Sequence, residues 1–342
     1  MRHARNRRRH RGQSTARPGT NGPNRTRLPR TFFLVLAGLL AWAPFLSAQS
    51  VVPALLSSAP PVVIPFTLLD EKVCVPVRVG LSRTLNVILD TGMGYKGLLL
   101  LKRDLTELLP GTQTYESSIT GAGDGLPTPV VFTVGAEIVV GELTLEHQPV
   151  AVTQTDLLRY DETDGVIGYS LLGQHVVEID YDAGLITLHD PDTFEPGPEW
   201  DVVPLTFDAH NWPLVSIAVA IDDGEPVQLE ASIDLGSPHA IELTPADDAF
   251  NLVPARTDPT YVGRGLSGDI YGLRGRLTSV RIGSHELRDV AVVIVESDVR
   301  STTEGAEAIV ASGLLRRFNL ILDYPHQRLL IRANASIDEP FR

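Results

Sequence analysis

Two short stretches decide the fold: Asn86-Val87-Ile88-Leu89-Asp90-Thr91-Gly92-Met93 and Leu229-Glu230-Ala231-Ser232-Ile233-Asp234-Leu235-Gly236-Ser237. Each is an apolar run that ends in Asp-x-Gly, which predicts a strand that enters a tight turn. Because the two stretches occupy corresponding places in a duplicated chain, they predict two carboxylates that meet across a pseudo-two-fold axis. Two carboxylates that share a proton can activate a water molecule.

The similarity between the two halves extends well beyond these turns. Landmarks downstream of Asp90 recur in the same order between 142 and 144 positions later. Four landmarks in one order are not expected by chance, so the chain is predicted to be an internal duplication. The matched segments are Val140-Gly141 with Ile282-Gly283, Val150–Val152 with Val292–Ile294, Gly165–Leu172 with Ala308–Leu315, and Val177–Tyr181 with Leu320–Tyr324.

The composition predicts a mostly β structure. The chain has 342 residues, of which 43% are apolar. Val, Ile, Leu and Thr recur in short runs between Gly, Pro, Asp and Asn, which is typical of strands and turns. Early strands are expected at Val73–Val79 and Leu214–Ile221, and short helices at Lys102–Leu109 and Thr244–Phe250, where Thr and Pro form a helix start.

The two halves are predicted to be joined by a linker. Residues 190–200 are rich in Pro and acidic residues, which is typical of a connection between lobes. The predicted division is therefore an N-terminal lobe at residues 49–195 and a C-terminal lobe at residues 196–342.

Residues 1–48 are predicted to be a secretory signal with a basic n-region. Residues 1–30 contain ten Arg and no acidic residue, and the apolar stretch Phe32–Trp42 is followed by the small residues Ser47 and Ala48. The apolar stretch is short for a membrane span, and Pro44 interrupts the sequence after it. We therefore expect export to the periplasm or secretion, with an uncleaved N-terminal membrane anchor as the alternative.

The charge of the chain argues against polyanionic partners. Removal of residues 1–48 takes away ten of the 29 basic residues and none of the 42 acidic ones, so the remainder has a formal net charge of −23. Such a protein is repelled by nucleic acid and by anionic membranes. We expect no nucleic-acid partner, and contact with a membrane only if the N-terminal segment is uncleaved.

No metal or cofactor is expected from the sequence. Cys74 is the only cysteine, so no intramolecular disulfide can form. It lies in the apolar run Val73-Cys74-Val75, where a thiol is more often buried filler than a nucleophile. The nine His residues are scattered and lack the spacing of metal ligands.

The two turns and two further motifs resemble the bacterial retropepsin-like aspartic proteases, here in tandem duplicate. The resemblance covers about residues 62–334. It implies an all-β fold with two acid-protease lobes related by a pseudo-two-fold axis and few short helices. The further motifs are Val166-Ile167-Gly168 and the ending Gly313-Leu314-Leu315-Arg316-Arg317-Phe318 followed by Leu322-Asp323-Tyr324.

The resemblance implies an aspartic endopeptidase that works without a cofactor. Asp90 and Asp234 would be the catalytic residues: the ionised one takes a proton from water, and the protonated one donates to the developing oxyanion. Gly92 and Gly236 lack a Cβ, which would let the two loops approach each other and adopt positive φ. A peptide or protein substrate is expected. The covalent duplication favours a monomer over a homodimer of duplicated chains.

Two Gly-rich segments have two interpretations. Residues 121–125 and 263–272 precede hairpin strands in the two halves. By resemblance they would be flap-like hairpins that exclude water over the substrate. Their glycines are equally compatible with ordinary hairpin turns.

The two aspartate turns depart from the family pattern in complementary ways. The first has Thr91 but Met93 after the glycine, and the second has Leu235 but Ser237. The family's Thr hydroxyls grip the opposite loop, so Leu235 would remove half of that grip. One hypothesis is a working but asymmetric dyad, in which Ser237 favours ionised Asp234 and Asp90 holds the proton. The alternative is a peptide- or protein-binding module that has lost catalysis.

Overall fold

The computed structural model describes residues 60–109, 113–155, 162–222, 224–244, 253–295 and 306–342. The predicted signal segment therefore lies outside the described residues. Within the described part of the chain, no helix has the length and apolar character needed to cross a bilayer.

The first half of the described chain consists mainly of strands. Two short helical segments interrupt them: a 3-10 helix at Arg103–Leu108 and α1 at Tyr169–Leu172. The strands are β1 (Val62–Pro65), β2 (Thr67–Leu69), β3 (Lys72–Val79), β4 (Leu85–Leu89), β5 (Leu98–Leu100), β6 (Tyr115–Ile119), β7 (Thr128–Val140), β8 (Leu143–Thr153), β9 (Gly165–Ile167), β10 (Val176–Asp180) and β11 (Leu185–His189).

The second half repeats this order. Its helical segment, α2 at Ser312–Leu315, stands where α1 stands in the first half. The strands are β12 (Asp201–Pro204), β13 (Thr206–Phe207), β14 (Pro213–Ala220), β15 (Val227–Asp234), β16 (Ile241–Leu243), β17 (Asp258–Gly265), β18 (Gly268–Ile282), β19 (His285–Val295), β20 (Ala308–Ala311), β21 (Phe318–Asp323) and β22 (Arg328–Ala333).

Six strands in each half close into a barrel. In the first half the order is β3-β4-β9-β5-β8-β7, and β7 pairs back onto β3. In the second half the order is β14-β15-β20-β16-β19-β18, and β18 pairs back onto β14. We call these barrels, with their hairpins, the N-lobe and the C-lobe. The prediction of an all-β fold with two duplicated lobes and few short helices is confirmed.

A third sheet contains strands from both halves. Its order is β1-β11-β10-β21-β22-β12, and the antiparallel pair β10–β21 joins the halves. In that pair Val177 lies opposite Leu322, and Ile179 lies opposite Leu320. Residues 190–200 connect β11, the second strand from one edge of this sheet, to β12 at the opposite edge. The division of the chain at residues 195 and 196 stays a prediction.

Alternation along the strands separates the barrel interior from the outer face. Leu98 and Leu100 of β5 are buried inside the N-lobe barrel, whereas Leu99 between them lies on the outer face. One large cluster of buried apolar side chains runs through both barrels and the shared sheet. The hydrophobic core therefore joins the two halves.

The first predicted helix is shorter and tighter than expected. The segment Lys102–Leu109 forms a 3-10 helix of six residues, Arg103–Leu108. Leu109 has an extended backbone, which is the conformation favoured before a proline such as Pro110. The second predicted helix follows Thr244, and residues 245–250 lie outside the described part of the chain.

Candidate active site

Each aspartate lies where a barrel strand ends beside a parallel neighbour. β4 ends at Leu89, opposite Ile167 of β9, and the Asp90 amide donates to the Ile167 carbonyl at 2.9 Å. In the C-lobe, Asp234 is the last residue of β15 and lies opposite Ala311 of β20. Carboxyl ends of parallel strands share one edge of a sheet, so both side chains emerge at equivalent positions.

The two aspartate turns meet. The Gly92 amide donates to Asp90 Oδ1 at 2.7 Å, and the Gly236 amide donates to Asp234 Oδ1 at 2.8 Å. A Cβ at Gly236 would lie 2.5 Å from Asp90 Oδ2, and a Cβ at Gly92 would lie 3.4 Å from Asp234 Oδ1. The two carboxyl groups are therefore neighbours. Each reaches the glycine of the opposite turn.

The glycines serve close approach and not unusual backbone angles. Neither Gly92 nor Gly236 has a positive φ. The expectation of positive φ at these turns is therefore wrong. The expectation of close approach is supported, because any side chain at Gly236 would overlap the Asp90 carboxyl group.

The pKa of Asp90 is raised well above its ordinary value. Burial is the main cause, and the negative charge of Asp234 adds to it. A hydrogen bond between the two carboxyl groups acts in the same direction, whereas the Gly92 amide favours the ionised form. Two like charges in a desolvated site cannot both ionise easily, so the pair is suited to holding one proton.

Thr91 connects the two turns from one side only. Its hydroxyl donates to the Ile233 carbonyl at 2.6 Å and accepts from the Leu235 amide at 2.9 Å. Leu235 has no hydroxyl with which to return these bonds, and its side chain is buried in the core. The side-chain hydrogen bonds between the two loops are therefore made by one threonine instead of two, as the sequence indicated. We call these bonds the grip.

Ser237 has a different partner from the expected one. Its hydroxyl donates to Glu242 of β16, and it accepts a bond from the His239 amide at 3.4 Å. A serine hydroxyl has one hydrogen to donate, so the proposed bond from Ser237 to the Asp234 carboxylate is not formed. That rationale for an ionised Asp234 is wrong; burial and the neighbouring charge account for the raised pKa of Asp90.

The two Gly-rich segments form hairpin tips that contact each other. We call β6–β7 with its tip the N-hairpin, and β17–β18 with its tip the C-hairpin. Ser267 in the C-hairpin tip accepts from the Gly125 amide on its carbonyl at 2.6 Å and donates its own amide to Ala122 at 2.9 Å. Its hydroxyl accepts from the Gly121 amide at 3.0 Å. The two hairpin tips are therefore bonded to each other, and the interpretation as flaps over a substrate stays a prediction.

The tips lie over the aspartate turns. Leu266 of the C-hairpin packs in a cluster that also contains Met93, three residues after Asp90, and Leu99. On the other side, His239 Nε2 lies 3.1 Å from the Val262 carbonyl in β17. We call the region between the hairpins and the two aspartate turns the cleft.

Sequence reasoning does not assign Glu242 or Tyr324 to the site. Glu242 occupies the place in the repeat that the apolar Leu99 occupies in the first half, and this polar-for-apolar difference is the signal that points to it. Tyr324 belongs to the repeated Asp-Tyr pair. Its buried hydroxyl has no hydrogen-bond partner among the described residues. Burial, and then the charge of Asp90, raise its pKa well above the ordinary value, so it lies within electrostatic reach of the dyad.

The neighbouring aspartates of the Asp-Tyr pairs have local roles. Asp323 is fully buried and accepts from Arg328 Nε at 2.6 Å. Asp180 accepts from the Ala183 amide in a turn at 2.9 Å. Among the described residues, no group of three or more His, Cys, Asp or Glu side chains is arranged to hold a metal ion.

Comparison with known proteins gives a structural likeness only. No protein-family model matches the chain, and no curated protein matches it. The fold is similar to the crystal structure of an aspartic proteinase from Irpex lacteus, with a TM-score of 0.53 and 15% sequence identity. The match covers 83% of this chain and 100% of that one. This likeness supports an aspartic-proteinase type of fold, and the chemistry must be argued from the residues.

Proposed function

We propose that the chain is an aspartic-type endopeptidase whose catalytic residues are Asp90 and Asp234. The observation that carries the proposal is the meeting of the two carboxyl groups, each held by the amide of its own turn's glycine. The raised pKa of Asp90 supports a shared proton. A carboxylate beside a carboxylic acid is the arrangement that general acid–base hydrolysis needs.

In the proposed reaction the two aspartates have opposite roles. The ionised carboxylate takes a proton from a water molecule as the water oxygen attacks the peptide carbonyl carbon. The protonated carboxyl group donates to the carbonyl oxygen, so a neutral tetrahedral diol forms. Collapse of the diol breaks the C–N bond: the aspartate that took the proton from water donates it to the leaving nitrogen, and the other aspartate takes a proton from one diol hydroxyl, which returns the dyad to its starting state. The pair holds one proton at the start, as the raised pKa of Asp90, caused by burial and by the charge of Asp234, supports.

The hairpins support a peptide as substrate. Both lie over the cleft, and their strands offer backbone hydrogen-bonding groups to an extended chain. Their closure would also exclude bulk water, which strengthens electrostatic interactions at the dyad. We therefore propose peptide or protein substrates that bind in extended form.

Two observations favour the second candidate, a binding module without catalysis. The grip between the loops is made by Thr91 alone, and the hydroxyl of Ser237 is directed to Glu242 instead of the dyad. Either change could leave the carboxyl groups less precisely held. Such a module would bind peptides in the same cleft and release them uncut.

Digestion of a proteome-derived peptide library distinguishes the two candidates. The chain lacking residues 1–48 is incubated with the library at several pH values, and cleavage is read by mass spectrometry. We expect cleavage favoured by acid, lost in both Asp90→Ala and Asp234→Ala and inhibited by peptides with a central hydroxyl. Retained folding of both variants is checked by circular dichroism. Cleavage that persists in Asp90→Ala would exclude the proposed mechanism.

Localisation and assembly are further proposals. The basic and apolar N-terminal sequence supports export to the periplasm or secretion, with an uncleaved anchor as the alternative. The covalent pairing of the two lobes supports a monomer, because both aspartates come from one chain. A sedimentation mass of one chain is the expected result.

A further inference from the structure

The outer face of the N-lobe barrel presents an apolar row to the cleft. Cross-strand registers place Val166, Leu99, Ala151, Phe132 and Tyr115 side by side across five strands. Directly paired residues share a face of a sheet, so these five side chains form one surface.

This row lies beneath the C-hairpin tip. Leu99, Ala151 and Val166 belong to a cluster that contains Leu266 of the tip and Met93 of the first aspartate turn. The N-lobe wall of the cleft, beside Asp90, is therefore apolar.

The corresponding row in the C-lobe is charged. The same registers place Ile309, Glu242, Val293, Arg274 and Asp258 side by side. Glu242 thus stands at the place of Leu99. The strand register of this wall is the same in both halves of the repeat, but its side chains are apolar in the N-lobe and partly charged in the C-lobe.

Glu242 is held beside the second aspartate turn. Glu242 is 4% exposed, and its carboxylate accepts a hydrogen bond from Ser237. Ser237 occupies the position in its turn that Met93 occupies in the first turn. The apolar contact between Met93 and Leu99 in one half is thus replaced by a polar contact in the other. Ser237 also accepts from the His239 amide, and the His239 ring lies against Val262 of the C-hairpin. Ser237, Glu242 and His239 therefore form a polar network that connects the second aspartate turn, the C-lobe wall and the C-hairpin.

We propose that Glu242 is a specificity-determining residue that selects a basic side chain of the substrate on the C-lobe side of the cleft. The proposal rests on the proposed peptide substrate. A carboxylate can accept several hydrogen bonds at once, so it can serve Ser237 and a donor of the substrate together. In a desolvated wall, a Lys or Arg of the substrate gains more from this carboxylate than it would in water.

The other charges of the same row do not oppose this selection. Arg274, two strands away in the same row, is exposed and lies directly opposite Asp258, so their charges offset each other. The chain as a whole has a formal net charge of −13, which attracts basic peptides. The expected substrate therefore has an apolar side chain on the N-lobe side and a basic one on the C-lobe side.

A positional peptide library tests the selection. Lys or its uncharged analogue norleucine stands at one position at a time on either side of a central apolar pair. Cleavage is measured with the wild-type chain, and retention of library members is measured on the Asp90→Asn protein. We expect one position at which Lys is preferred by at least about tenfold in both measurements.

Three variants isolate the effect of Glu242. Glu242→Leu should abolish the preference for Lys. The double variant Ser237→Met with Glu242→Leu restores the apolar pair of the first half, so no buried hydroxyl loses its acceptor; it should also lose the preference. The matched control is Glu230→Leu, at an exposed position of β15, which should keep it. The binding measurement is repeated with each change in the Asp90→Asn background.

The outcomes separate this inference from the proposed function. Absence of a Lys preference in both measurements, or an unchanged preference in Glu242→Leu, overturns the inference. If the wild-type chain cleaves nothing but the retention preference exists and depends on Glu242, endopeptidase activity is overturned and the selection stands. A loss of stability in Glu242→Leu with an unchanged preference would assign Glu242 a structural role only.

Discussion

Asp90 and Thr91 are adjacent residues that have opposite effects on the stability of the folded state. Asp90 is a buried acid beside a second acid, so its ionisation destabilises the folded state. Thr91 is a buried hydroxyl with both a donor and an acceptor bond to the opposite turn. One residue carries the proposed chemistry, and its neighbour holds the loops together so that this chemistry is possible.

Replacement of Asp90 by Asn is expected to stabilise the chain at neutral pH. The folded pKa of Asp90 is raised, so the folded state holds a proton that the unfolded state has released above about pH 4. Stability of the wild type therefore falls as pH rises through this range towards the folded pKa. Thermal unfolding at pH 7 should show a higher Tm for Asp90→Asn.

The pH dependence of this difference is the check. The gain in Tm should shrink below about pH 4, where Asp90 is protonated in both states. The variant Glu230→Gln, which removes an exposed acid from the C-lobe, serves as the control and should change Tm little. A gain for Asp90→Asn that is the same at pH 3 and pH 7 would contradict the raised pKa.

Replacement of Thr91 by Val should cost about 2 kcal/mol of unfolding free energy. Val has nearly the same shape but leaves the buried Ile233 carbonyl and the Leu235 amide without their partner. Urea unfolding measures the loss, with Thr91→Ser as the matched control, because Ser keeps the hydroxyl. Equal stability of the Val and Ser variants would mean that the grip contributes nothing.

At the scale of elements, the two hairpins depend on glycine where their tips touch. Gly123 has a φ of +129°, and a Cβ there would lie 2.2 Å from the Gly268 amide nitrogen. Gly125 is similarly close to the Ser267 carbonyl. Here both backbone conformation and close approach require glycine, in contrast to the aspartate turns, where close approach alone does.

The variant Gly123→Ala should separate the hairpin tips. The added methyl group overlaps the opposing backbone, so the bonds between Ser267 and the N-hairpin are lost. Hydrogen exchange of the Gly125 and Ser267 amides should become faster. The control is Gly135→Ala in β7, which also has a positive φ, +83°, but no atom within 4 Å of the added carbon. Equal acceleration in both variants would assign the effect to backbone strain alone.

At the scale of the whole molecule, the two lobes share one sheet and one core. The pair β10–β21 carries hydrogen bonds between the halves, and the buried apolar cluster is continuous through both barrels. The dyad needs this arrangement, because each turn supplies one of its two carboxyl groups.

The described chain is therefore expected to unfold in a single transition. The variant Leu320→Ala removes a fully buried side chain at the join between the halves and should cost about 2–5 kcal/mol. Calorimetry should show one peak in both the wild type and the variant, shifted to lower temperature in the variant. The exposed Val63 of β1 provides the control, Val63→Ala. Two separate peaks would show that the lobes unfold independently.

The amino-acid sequence alone is enough to infer the duplicated β fold and the pairing of Asp90 with Asp234. Both follow from local pattern: period-two strands, Asp-x-Gly turns and repeated landmarks are visible along the chain. It also indicated the one-sided grip, because the absence of a hydroxyl at Leu235 can be read directly.

The hydrogen-bond partners of the other side chains are known only from the three-dimensional packing. Ser237 donates to Glu242 and not to Asp234, and the hairpin tips bond to each other. The face on which Glu242 lies depends on strand register. These contacts join residues of different strands and lobes. They cannot be predicted from the sequence because strand register and lobe packing set them, whereas composition and local spacing do not.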